Sequence, residues 1–147
     1  MLKFNRLRGE KMDREYERLI VKTFFNKRYQ ERIIYELSSE KKRKDAIRRL
    51  SHNWNIILNS KYLKQIKEPC SDYTTVLKIL EKHGADDVCY SISFCEEIDA
   101  KFLHLPNAIE HAFGYGLPSL IICKGNNLAY FEAEQECGAP PRFILER

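Results

Sequence analysis

Apolar side chains recur at helical spacing through the first half of the chain. A period of three to four residues predicts a helix over residues 13–26, and the same pattern continues over 27–37, which leaves open whether the two segments form one long helix. A third helix is predicted within 39–54, with Ser38 or Ser39 as its N-cap. Apolar residues then continue to Pro69, which disfavours further helix. We therefore expect residues 1–68 to be helical.

The pattern changes after Pro69. Alternating apolar and polar residues over 88–94 (VCYSISF) predict a strand with Val88, Tyr90 and Ile92 on one face. Further segments are predicted from the same signals: helices over 73–82 and 107–113, a short extended piece at 102–105, strands over 117–123, 128–134 and 142–146, and a hairpin turn at 124–127. The expected fold is α+β, in which a basic helical N-terminal half precedes a small mixed β-sheet of about four strands, packed by helices on one side. The two regions, 1–68 and 69–147, are expected to form one compact domain.

Charge is distributed unevenly between these two regions. Residues 1–68 hold 19 Lys and Arg against 9 Asp and Glu, whereas residues 69–147 hold 6 against 12. The 44% hydrophobic content is that of a folded protein, which excludes a disordered chain. A basic half favours a polyanionic partner such as nucleic acid. Two alternatives stay open: the basic helices lie against the acidic half of the same chain, or they meet the acidic half of a second copy.

The densest basic segment is SEKKRKDAIRRLSHNW, residues 39–54. On a helical wheel its cations lie opposite an apolar stripe, and Arg43 lies near that stripe, so that we expect its stem to pack while its head reaches water. The expected phosphate contacts are Lys41, Lys42, Lys44, Arg48 and Arg49, with Lys27, Arg28 and Arg32 as secondary contacts. A solvated helix face without any partner is the competing interpretation.

Aromatic residues accompany this charge, but they are expected to belong to the core. Phe24 and Trp54 lie on the predicted apolar faces. Any nucleic-acid binding should therefore depend on phosphate contacts and tolerate different sequences.

Acidic residues follow the first strand and the predicted hairpin. Carboxylates converging from Glu97, Asp99, Glu132 and Glu134 are able to hold Mg²⁺ for phosphodiester hydrolysis, but no Lys accompanies the acidic strand. We favour the alternative that this is an edge strand whose charge opposes aggregation. The sequence carries no recognised catalytic, cofactor or metal motif, so we assign no catalytic residue, no cofactor and no metal ligand.

The cysteines and the N-terminal residues indicate where in the cell the protein is located. The five cysteines are odd in number and contain no C-x-x-C pair, which favours reduced thiols. The N-terminal residues show no apolar segment typical of a signal peptide, and no stretch is suited to a membrane. We expect a cytoplasmic location.

The leading functional hypothesis is a non-catalytic protein that binds nucleic acid through its basic helices. Its alternatives are the metal-dependent phosphodiesterase and a protein–protein adaptor or self-associating module. The binding hypothesis predicts that changing Arg48 and Arg49 to Glu abolishes binding without unfolding the protein.

Overall fold

The computed structural model describes residues 13–125 and 127–147, so the N-terminal segment and Asn126 of the predicted hairpin turn lie outside the described residues. Six α-helices are present in these ranges: α1 (Arg14–Phe24), α2 (Lys27–Ser38), α3 (Arg43–His52), α4 (Trp54–Ile57), α5 (Tyr73–Lys82) and α6 (Leu105–Ala112). Within the described ranges, no helix is long and apolar enough to cross a membrane.

The first two helices are separate. Asp13 caps α1 by accepting a hydrogen bond from the backbone N–H of Tyr16. The helix ends because Phe25 is extended and forms a β-bridge with Leu58. The side chain of Asn26 then donates to the carbonyl oxygens of Ile56 and Leu58, which fixes the bend between α1 and α2.

The basic stretch 39–54 does not form one helix from its first residue. Helix α2 continues to Ser38, and the carbonyl oxygen of Ser39 accepts hydrogen bonds from the backbone N–H groups of Lys42 and Arg43. A turn therefore precedes α3, whose N-cap is Lys42, without any side-chain cap. The expected N-cap at Ser38 or Ser39 is wrong because the helix before it uses those residues.

The sheet has six strands, all antiparallel: β1 (Leu63–Gln65), β2 (Val88–Ser93), β3 (Lys101–His104), β4 (Ser119–Lys124), β5 (Leu128–Glu132) and β6 (Arg142–Glu146). Their spatial order is β1-β6-β5-β4-β2-β3. The α+β class is confirmed, but the expected mixed sheet of about four strands is wrong. Strand β1 was missed because only three residues, in a segment expected to be helical, pair with β6.

Helices cover both faces of this sheet rather than one. The predicted alternation of β2 is confirmed, since Tyr90 and Ile92 face one core and Cys89 faces the other. Helices α1 to α4 contribute to the first core, and α5 and α6 contribute to the second. The second layer was not expected, because the alternation of apolar and polar residues in VCYSISF indicated one covered face, whereas both faces of β2 are buried.

Candidate anion-binding surface

One cation of the basic stretch is buried among carboxylates. The guanidinium of Arg43 donates to Glu17 at 2.8 and 2.6 Å, to Asp99 at 2.7 and 3.0 Å, and to the carbonyl oxygen of Leu37 at 3.1 Å. These five bonds use all five N–H donors of an arginine. Burial alone would lower the pKa of Arg43, but the hydrogen bonds to Glu17 and Asp99 outweigh it and raise the pKa. The head of Arg43 does not reach water, contrary to expectation.

The same network joins the helices to the sheet. The hydroxyl of Tyr90 on β2 donates to Glu17 Oε2 at 2.7 Å, and the backbone N–H of Ser93 donates to Asp99 Oδ1 at 2.9 Å. Burial and the nearby charge of Glu17 raise the pKa of Tyr90, which keeps the hydroxyl a donor. Arg43 therefore stabilises the contact between α1, α3 and β2, and its charge is used inside the protein.

A second buried carboxylate lies on the other side of the sheet. Glu132 is fully buried and accepts hydrogen bonds from Arg142 Nε at 3.0 Å, the Tyr130 hydroxyl at 2.6 Å and the Gly114 backbone N–H at 2.7 Å. Strand β5 lies between β4 and β6. The interpretation of this acidic segment as an edge strand is therefore wrong, because Glu132 is part of a buried ion pair in a central strand.

The four acids of the phosphodiesterase hypothesis lie in different environments. Asp99 binds Arg43 and Glu132 binds Arg142, while the exposed Glu97 lies 3.1 Å from His111. Glu134 follows the end of β5. Within residues 13–125 and 127–147, no group of three or more His, Cys, Asp or Glu side chains is placed to hold a metal ion. The structure does not bring these carboxylates together.

The predicted phosphate contacts divide into two classes. Four have an acidic partner: Arg49 forms a bidentate pair with Glu36 at 2.8 Å, Arg32 lies 3.8 Å from the same carboxylate, Lys44 lies 2.9 Å from Glu96, and Arg48 lies 3.5 Å from Asp45. Glu36 is 5% exposed, so Arg49 neutralises a buried carboxylate. These cations are already partly compensated.

The second class has no such partner. Lys27, Arg28, Lys41 and Lys42 are exposed, and none forms an ion pair with another residue of the described part of the chain. Two of them begin α2, and the other two lie in the turn between α2 and α3. Their charge is available to a partner.

The charges of three cations act on the single carboxylate of Glu36. Besides Arg49, Arg32 approaches it to 3.8 Å, and Lys42 lies near enough for its charge to act on the same group. The hydrogen bond from Arg49 is the main reason that the pKa of Glu36 lies below its ordinary value, and the charges of Arg32 and Lys42 lower it further. One negative charge is thus matched by three positive ones around Glu36.

An exposed aromatic residue lies on the same surface. Tyr35 is 60% exposed, more than any other large apolar side chain of the described residues, and follows Arg28 and Arg32 at spacings of seven and three. These spacings place the three side chains on one stripe of α2. The sequence interpretation overlooked Tyr35, although its position on the polar face of α2 was a usable signal. Phe24, in contrast, is buried as expected, and Trp54 is half-buried.

Comparisons with known proteins give no relative for this chain. No protein-family model matches it, no curated protein matches it, and no solved structure matches it.

Proposed function

We propose that this protein binds a polyanion, and nucleic acid in particular, through the outer surface of α2, α3 and the turn between them. The observation that carries the proposal is the set of exposed cations without an acidic partner, Lys27, Arg28, Lys41 and Lys42. Arg32 and Arg49 extend the same surface. Lysine and arginine bind phosphates by charge and release counterions from the nucleic acid, which supplies most of the non-specific affinity.

Compensation by the acidic half does not account for this surface. Three ion pairs join a cation of residues 1–68 to an acid of residues 69–147 in the described part of the chain: Arg43–Asp99, Lys44–Glu96 and Lys64–Glu146. The first is buried and the other two involve exposed lysines. None of them involves Lys41 or Lys42, whose positions in the turn before α3 are also electrostatically unfavourable, because a helix N-terminus carries partial positive charge.

The test is binding of a labelled oligonucleotide across a series of salt concentrations. Wild-type protein should show a linear fall of log affinity with log salt. In the variant Lys41→Gln/Lys42→Gln, the slope should decrease in magnitude by roughly 1–2, because each phosphate contact contributes about 0.7–0.9 to it. Affinity should fall in the same variant, with unfolding in urea unchanged to within about 0.5 kcal/mol.

A matched control removes the same charge from the opposite side of the sheet. Lys78 and Lys82 are exposed on α5, so Lys78→Gln/Lys82→Gln changes the net charge equally. This variant should bind as wild type does. Equal losses in both double variants would indicate dependence on net charge alone, and no binding by the wild type at low salt would contradict the proposal.

The change of Arg48 and Arg49 to Glu, which the sequence suggested, is unsuitable as a test of binding. Glu at position 49 would face the buried carboxylate of Glu36, from which Arg49 now lies 2.8 Å away. Repulsion between two carboxylates would destabilise the contact between α2 and α3, so lost binding would not identify a contact. Lys41 and Lys42 avoid this problem because neither forms an ion pair with a described residue.

A further inference from the structure

We infer that the preferred ligand is single-stranded nucleic acid, with an unpaired base stacked on the ring of Tyr35. This inference rests on the proposed function, since it names the class of nucleic acid that the same surface would take. It adds an aromatic contact to a surface that sequence reasoning described by charge alone. The stacking contact and the phosphate contacts make different, separable predictions.

Tyr35 has the properties of a stacking platform. Its side chain is 60% exposed, and within the described residues its hydroxyl forms no hydrogen bond and its ring forms no aromatic or cation–π contact. A large aromatic ring that is exposed and without a partner costs hydrophobic free energy, which a stacked base would recover. Stacking on aromatic side chains is the usual way in which proteins hold single strands without reading their sequence.

The neighbouring cations are placed to hold the backbone of such a strand. Arg32 lies one turn before Tyr35 and Arg28 two turns before it on the same stripe of α2, over roughly 10 Å at 1.5 Å per residue. The exposed Glu31 lies on this stripe as well, so the two arginines leave it with a net positive charge. Arg49 lies 2.8 Å from the next residue, Glu36, and the charge of Lys42 lowers the pKa of the same carboxylate. A strand with its phosphates along these cations would therefore pass the exposed ring.

A second feature lies at the other end of this stripe. A shallow depression of about 430 Å³ is lined by residues of the α1–α2 bend, α2 and α4: Asn26, Lys27, Arg28, Tyr29, Asn55 and Ile56. The guanidinium of Arg28 lies 5.7 Å from the centre of the Tyr29 ring. Cations and an aromatic ring thus occur together at both ends of the stripe, as expected for a single-strand path, and the exposed Ile56 adds an apolar side chain at the depression.

A duplex cannot make the same contact. Its base faces are stacked on one another, so an exposed ring on a helix reaches a base face only where the strand is unpaired. Phosphate contacts are available from either form. Preference for the single strand is therefore the property that Tyr35 should supply.

The experiment compares three ligands of equal length: a single-stranded oligonucleotide, its fully abasic counterpart and the corresponding duplex. Wild-type protein should bind the base-bearing strand roughly 5- to 100-fold more tightly than the abasic strand, which corresponds to one stacked base. Tyr35→Ala should remove that preference and leave binding of the abasic strand unchanged. Tyr35→Trp should restore it.

Tyr115 supplies the matched control. It is another exposed tyrosine, at 46%, and it lies in the acidic region after α6. Tyr115→Ala should bind all three ligands as wild type does. Because both tyrosines are exposed, neither substitution should change urea unfolding by more than about 0.5 kcal/mol.

The outcomes separate the two proposals. If wild type binds the base-bearing and abasic strands equally and Tyr35→Ala changes nothing, polyanion binding stands and the single-strand inference is overturned. Tighter binding of the duplex than of the single strand would overturn it as well. If none of the three ligands binds at low salt, the proposed function itself fails.

Discussion

The inner and outer sides of the helical layer use basic residues in opposite ways. On the inner side, Arg43 is 8% exposed and its donors are bound by Glu17, Asp99 and a backbone carbonyl. On the outer side, Lys41 and Lys42 are exposed and have no ion pair in the described part of the chain. The three residues are consecutive in sequence. Counting cations therefore does not show how many are available to a partner.

Arg49 is intermediate between these two environments. It is about one-third exposed, and it forms a bidentate pair with the buried Glu36. It contributes to the stability of the α2–α3 contact and also to the positive potential of the outer surface. Substitution of Arg43 on the inner side should therefore change stability most, and substitution of Lys41 and Lys42 on the outer side should change binding most.

The largest expected effect on stability is at Arg43. Arg43→Met leaves the buried carboxylates of Glu17 and Asp99 without their cation, which should lower the free energy of unfolding by about 3–5 kcal/mol. Urea unfolding followed by circular dichroism measures this change. The control Arg48→Met alters an exposed cation and should cost less than about 1 kcal/mol. A loss below 1 kcal/mol for Arg43→Met would contradict the assigned role.

A smaller effect is expected at Arg49, with a pH dependence of known sign. Arg49→Gln should cost about 1–2 kcal/mol at pH 7, reduced by the partial exposure of the pair. The pKa of Glu36 in the folded protein lies below its ordinary value. The ionised carboxylate therefore stabilises the fold at any pH above the ordinary value, and this contribution is lost as the pH falls through the folded pKa.

Unfolding measured between pH 7 and pH 3 checks this sign. The difference in the free energy of unfolding between wild type and Arg49→Gln should shrink as the pH falls below about 4. Protonated Glu36 carries no charge, so it no longer forms an ion pair with Arg49. A difference that stays constant or grows over this range would show that Arg49 does not act through Glu36.

Local patterns predicted much of the fold. The alternation in VCYSISF was sufficient to place Tyr90 and Cys89 on opposite faces of β2, and Phe24 was recognised as a core residue. Strand β1 was not predictable in this way, because its pairing with β6 depends on residues more than seventy positions away. The second helical layer was missed for another reason, since the polar residues of β2 indicated an uncovered face although that face is buried.

The candidate site was predicted less well than the fold. The role of the eight cations as phosphate contacts stays a prediction. The sequence did not show that Arg49 faces Glu36, since a helical wheel says nothing about the neighbouring helix. The burial of Glu132 was hidden for a similar reason, because its partner Arg142 lies on another strand. Tyr35 was identifiable from the polar face of α2.

The most direct test of the outer surface as a binding site is a titration of ¹⁵N-labelled protein with a single-stranded oligonucleotide, followed by amide chemical shifts. We expect the largest changes within residues 27–36 and 41–49, with little change on α5 and α6. Changes concentrated on α5 and α6, or no change at low salt, would contradict this expectation.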